Sequence, residues 1–160
     1  MLRWGRLGGF RVFMPLFELR SPRDMLEKAR REHQRLSTQF NIDNLFNFFV
    51  TAYHIQDYIR TSEAVAVTVL KELMEDPDMK GCRDICNQGK HLKLDPKRGR
   101  ADPKSHVWSG CVGVGAPVNT LPVNGGHKWV VLIDDRKIDV KHLSDMVLRK
   151  WEVFFSEHDL

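Results

Sequence analysis

The sequence predicts an α+β fold: a helical bundle of about four helices, then a small antiparallel β-meander, then a C-terminal helix. Two patterns carry that expectation. Apolar residues recur at helical spacing between Pro22 and Leu92 and again between Leu143 and Phe155. Between those regions, 106–114, 128–133 and 137–140 concentrate β-branched and aromatic residues. A length of 160 residues, with 42% hydrophobic and 29% charged, suits one core of globular composition. The expected organisation is an N-terminal extension over 1–15 and a single domain over 16–160.

Ser21-Pro22 followed by Arg23-Asp24 supplies an N-cap, a proline at the first helical position and an acidic first turn. These open a charged, outer helix over about 22–40. The segment 43–60 holds Leu45, Phe46, Phe48, Phe49, Val50, Ala52, Tyr53, Ile55 and Ile59, too many apolar residues for a narrow stripe, and is the expected central helix. Ser62 is the expected cap of a third helix over 62–75, with Val65, Val69, Leu70, Leu73 and Met74 inward and Pro77 as its stop. A fourth helix is expected over 78–92. The stretch Asp95 to Lys104 is a loop rich in breakers and basic residues, and Asp134-Asp135-Arg136 is a turn between strands. A closing helix is expected over 142–156.

Several functional classes lose support at once. No apolar run approaches the ~20 residues that span a bilayer, so no membrane association is expected. Arg11 breaks the apolar part of the N-terminal stretch and no small-residue cleavage site follows, which argues against a signal peptide. Residues 1–13 are instead read as a flexible or partner-dependent extension, or as codons upstream of a start at Met14. Cys82, Cys86 and Cys111 are an odd set without a zinc CxxC pair, which fits small core residues in a reducing cytoplasm. The net charge of +4 is compatible with a phosphate-bearing partner and does not require one. Gly110 to Pro117 lacks dinucleotide-fingerprint spacing, and Asn119 to Gly126 reads as a connection between strands.

Chemistry concentrates on two polar stripes. On the central helix Asp43, Asn47, Thr51, His54, Asp57, Tyr58 and Thr61 lie opposite the densest apolar face. On the fourth helix Arg83, Asp84, Asn87, Lys90 and His91 share one arc, with Cys82, Ile85, Cys86, Gly89 and Leu92 on the other side. Gly89, unfavourable inside a helix, is expected to admit a neighbouring backbone. Facing stripes would gather imidazole, carboxylate, guanidinium and ammonium groups in one cleft where proton transfer is feasible near neutral pH. The competing reading is that these residues only join helices or meet solvent.

The strings Phe-Asn-Phe-Phe-Val-Thr-Ala-Tyr-His-Ile-Gln-Asp-Tyr (46–58) and Cys-Arg-Asp-Ile-Cys-Asn-Gln-Gly-Lys-His (82–91), with Trp-Val-Val-Leu-Ile-Asp-Asp and Trp-Glu-Val-Phe-Phe, resemble a family of small bacterial proteins. That resemblance implies a grouping and no activity. A bundle with an arginine, a following polar residue and a nearby histidine on one helix also resembles, distantly, the HEPN class of metal-independent ribonucleases and nucleotide-binding domains. The resemblance implies Arg83 as the arginine, Asp84 as the polar residue, His91 as the histidine, RNA as partner, no cofactor and a homodimer. Seven residues separate Arg83 from His91, more than that class usually has.

Under this reading His91, Arg83, Asn87, Lys90, His54 and Asp57 form the catalytic set. His91 takes a proton from a ribose 2′-hydroxyl, Arg83 and Lys90 meet the phosphate, and Lys97, Arg98, Arg100 and Lys104 hold the RNA backbone. Two alternatives stand beside it. His54, Asp57 and His91 could ligate zinc or iron, or the chain could be a non-enzymatic, oligomeric interaction domain.

Overall fold

The computed structural model describes residues 17–91, 104–108, 128–133 and 136–160. Their architecture is α+β: α1 (Pro22–Thr38), α2 (Ile42–Ser62), α3 (Val67–Met74), α4 (Pro77–His91), β1 (Lys104–Trp108), β2 (Lys128–Ile133), β3 (Arg136–Asp139) and α5 (Val140–Glu157). The N-terminal extension, the loop after α4, residues 109–114 of the first expected strand and the Asp134-Asp135 turn lie outside the described residues.

Local chemistry sets the helix starts. The Ser21 hydroxyl accepts from the Asp24 backbone N–H while the Asp24 carboxylate accepts from the Ser21 N–H, closing a reciprocal cap with Pro22 at the first turn. Asn41 caps α2 through Asn44 N–H, and Asp139 caps α5 through Lys141 and His142. The boundary after α2 differs from the sequence reading. Ser62 does not start α3; it ends α2, donating its hydroxyl to the Ile59 carbonyl. Glu63, at φ 53° in the left-handed region, makes the break, and α3 begins at Val67 with no side-chain cap.

Helix α2 is the hub, touching α1, α4 and α5, with its most extensive packing against α1. Leu45, Phe48, Phe49, Ala52, Ile55 and Ile59 are buried along it. They join Leu26, Ala29 and Leu36 of α1, Leu70 of α3, Met79 and Cys82 of α4, Val131 and Ile133 of β2, and Leu143, Val147, Trp151 and Phe155 of α5 in one apolar cluster. The charged outer face of α1 is therefore only half of that helix. Its other half is core.

The sheet is antiparallel in the order β1-β2-β3, with Val107 opposite Trp129 and Val131 opposite Ile138. It is joined to the helices through β2, whose Trp129 meets Phe40 edge to face at 5.2 Å. Gly89 admits a side chain rather than a backbone: a Cβ there would stand 2.4 Å from Phe46 Cε2. That glycine lets α4 come close enough to α2 for polar groups on both to meet.

Candidate functional site between α2 and α4

His54 and Asp57 stand one turn apart on α2, and the imidazole Nδ1 lies 2.6 Å from Asp57 Oδ2. On its other side, His54 Nε2 faces Lys90 Nζ of α4. An ammonium can only donate, so this pattern assigns the imidazole proton to Nδ1, shared with Asp57, and a lone pair to Nε2. Tyr53 packs its ring edge against His54 at 5.3 Å between centroids, which limits imidazole rotation. The imidazole is about one-third exposed and the Asp57 carboxylate about half. The row Asp57, His54, Lys90 is thus oriented yet reachable from solvent.

Around this row α4 brings other polar groups inward. Arg83 Nε donates to Asp84 Oδ1 at 2.7 Å, and Asp84 is only 2% exposed. Burial pulls the Arg83 guanidinium down, but its pairing with Asp84, with Tyr53 and Glu75 nearby, leaves it raised and firmly cationic. Cys86 is held against Lys90, yet burial outweighs that cation and raises the thiol above its ordinary range. It is a buried neighbour of the row rather than a ready nucleophile. Cys82, fully buried, is raised further, by burial first, and donates to the Phe49 carbonyl. Asn87 is buried with its Nδ2 unpartnered among the described residues.

The polar stripe of α2 is split between neighbours. Thr51 turns to α1, where its hydroxyl accepts from Lys28 Nζ at 2.7 Å. Lys28 also binds Glu32 Oε1 at 3.0 Å, as does Arg35. Burial raises the Glu32 carboxyl, but those two cations overcome it and leave it below the ordinary range. Asp43 and Asn47 are exposed. Tyr58 and Thr61 instead border a cleft of about 470 Å³ with Arg20, Pro22, Asp57 and Ser62. Of the stripe members, His54 meets Lys90, and Asp57 reaches it only through His54.

His91 closes α4, and its side chain is outside the described set, as are Lys97, Arg98 and Arg100. Lys104 begins β1 opposite Leu132, its side chain likewise outside that set. Among the described residues no three His, Cys, Asp or Glu converge to hold a metal ion, and both ring nitrogens of His54 are engaged by Asp57 and Lys90. No helix among them is long and apolar enough to cross a membrane.

Three participants escaped sequence reasoning. Cys86 was assigned to the apolar side of α4, although its i,i+4 spacing to Lys90 signals contact. Arg20 and Ser62 reach the cleft from a helix approach and a helix end, for which one-helix periodicity gives no signal. Compared with protein-family models, curated proteins and solved structures, the chain has no match.

Proposed function

We propose that the chain is an RNA-directed, metal-independent enzyme that cleaves phosphodiester bonds, with His54 rather than His91 as its proton acceptor. The observation that carries this reading is the row Asp57, His54, Lys90: a carboxylate orients an imidazole whose remaining nitrogen faces a cation. Such an arrangement suits a reaction in which a hydroxyl loses a proton while negative charge grows nearby. A ribose 2′-hydroxyl beside a phosphate has that need.

In the proposed step Lys90 moves from Nε2 onto a phosphate oxygen, and Nε2 takes the 2′-hydroxyl proton. The 2′-oxygen bonds to phosphorus as the bond from phosphorus to the 5′-oxygen breaks. The departing oxygen takes a proton from the Lys90 ammonium, and the imidazolium returns its proton to the Lys90 amine. The products are a 2′,3′-cyclic phosphate and a 5′-hydroxyl, with no net proton gained or lost. Asp57 stabilises the imidazolium between the two transfers. Arg83 adds a fixed positive charge on the same helix.

The test is incubation of purified protein with a single-stranded RNA in the presence of a chelator. Cleavage leaving cyclic phosphate ends, and inertness of an oligomer with 2′-deoxyribose throughout, are expected. Absence of cleavage over a broad set of RNA sequences overturns the reading. A second reading, in which the row only fastens α2 to α4 within an interaction domain, is favoured by exposed Ile42, Val67 and Val153. It requires His54→Gln to lower the melting temperature and alter no activity.

A further inference from the structure

We infer that the cleft bordered by Arg20, Tyr58 and Thr61 is a nucleotide subsite, taking the base and phosphate of a residue adjoining the bond attacked at His54. The inference takes its substrate from the ribonuclease reading and adds where the neighbouring nucleotide sits. Its basis is a shared wall. Asp57 Oδ2 accepts from His54 Nδ1 and the residue at the same time borders the cleft, so a chain of nucleotides crossing the row passes directly into that space.

The volume, about 470 Å³, accommodates one nucleotide. Its chemistry is complementary as well. The half-buried Tyr58 packs on the core and borders the cleft, bringing to it an aromatic ring of the kind on which bases stack without sequence preference. Arg20 donates Nε to the Phe17 carbonyl at 2.6 Å, which fixes the guanidinium and leaves its terminal amino groups for a phosphate. The exposed Thr61 lies at the same rim with a hydroxyl that suits ribose or base edges, and Ser62 Oγ, which donates to the Ile59 carbonyl, can still accept there. Pro22 completes a rigid apolar floor at the start of α1. Arg20 is the cation among the residues bordering the cleft, which sets the direction: the phosphate end of the nucleotide lies toward Arg20.

Equilibrium titration of the full chain with adenosine 5′-monophosphate, adenosine and inorganic phosphate tests this. The monophosphate is expected to bind about tenfold or more tightly than adenosine, and phosphate alone weakest. Arg20→Gln is expected to bring the monophosphate down to the level of adenosine, and Tyr58→Leu to weaken both about tenfold. Thr61→Trp, at an exposed position, fills the cleft and is expected to abolish binding with the melting curve unchanged. Monophosphate binding that survives Thr61→Trp, or that equals adenosine binding, overturns the subsite. The two proposals fail separately: RNA cleavage without monophosphate binding sinks the subsite alone, and cleft binding without cleavage sinks the catalytic reading alone.

Discussion

Helix α2 contributes to two polar clusters of similar composition that differ in the burial of their carboxylates. Toward α1, Thr51, Lys28, Glu32 and Arg35 form a network in which Glu32 is 5% exposed and binds two cations. Toward α4, Asp57, His54 and Lys90 form a row with one-third to one-half of its histidine and carboxylate in solvent. In the first, a buried carboxylate sits between two cations of its own helix beside a cleft of about 580 Å³, and Lys28 ties that helix to Thr51 of α2. The second has the same pairing of acid and base but keeps an imidazole lone pair against a displaceable ammonium. Charge composition therefore does not separate a structural network from a candidate active site; an imidazole with an exchangeable partner does.

That difference can be broken at either cluster. The largest expected effect is on the open row: His54→Ala should lower RNA cleavage by ~10²- to 10⁴-fold with the far-ultraviolet spectrum and melting temperature unchanged. Equal losses of rate and fold would make the row a fastener like its counterpart. Next is the close approach that lets α4 meet α2. Gly89→Ala places a methyl against the Phe46 ring, and urea unfolding should show a loss of about 1–3 kcal/mol even though alanine favours helix. A stabilised variant would mean that Phe46 moves freely and the glycine is not needed.

At the cluster toward α1, Thr51→Val should cost about 1–2 kcal/mol, by removing the acceptor for Lys28, and leave catalysis unchanged. Altered cleavage in this variant would show that the two clusters are coupled. The smallest effect is the pH dependence. The Glu32 and Asp76 carboxyls are both lowered in the fold, burial being overcome by Lys28 and Arg35 in one case and by Lys150 and backbone N–H groups in the other. A lowered carboxyl contributes stability that is fully present above its unfolded value and lost as pH falls through its folded one. Melting temperature should therefore fall on acidification below about pH 4.5, and less steeply in Glu32→Gln. Identical slopes for the two proteins would remove Glu32 from the acid response.

The fold was largely legible because its signals are local. Ser21-Pro22 and Asp24 announced α1, the density of Phe and Ile announced α2, and the concentration of β-branched and aromatic residues over 128–133 announced β2. Ser62 misled because a serine that caps a helix start can equally bond back to the carbonyl three residues earlier, and the chain chose the latter. At the site, His54, Asp57 and Lys90 were identifiable as residues of the right chemistry. Their partners were only partly so. A stripe drawn from Asp43 to Thr61 is too broad: at 100° per residue, Thr51 sits roughly 120° around from Asp57 and so faces a different helix. The Arg20 and Cys86 contacts depend on how α1 and α4 cross α2, which one-dimensional periodicity does not encode.

The central claim is that the His54 lone pair, held by Asp57, takes the substrate proton. Chemical rescue tests it most directly: RNA cleavage by His54→Ala measured with and without added imidazole. Activity lost in the variant and restored in proportion to imidazole is the expected result. Full activity of His54→Ala without imidazole, or a loss that imidazole leaves untouched while the variant remains folded, would contradict it.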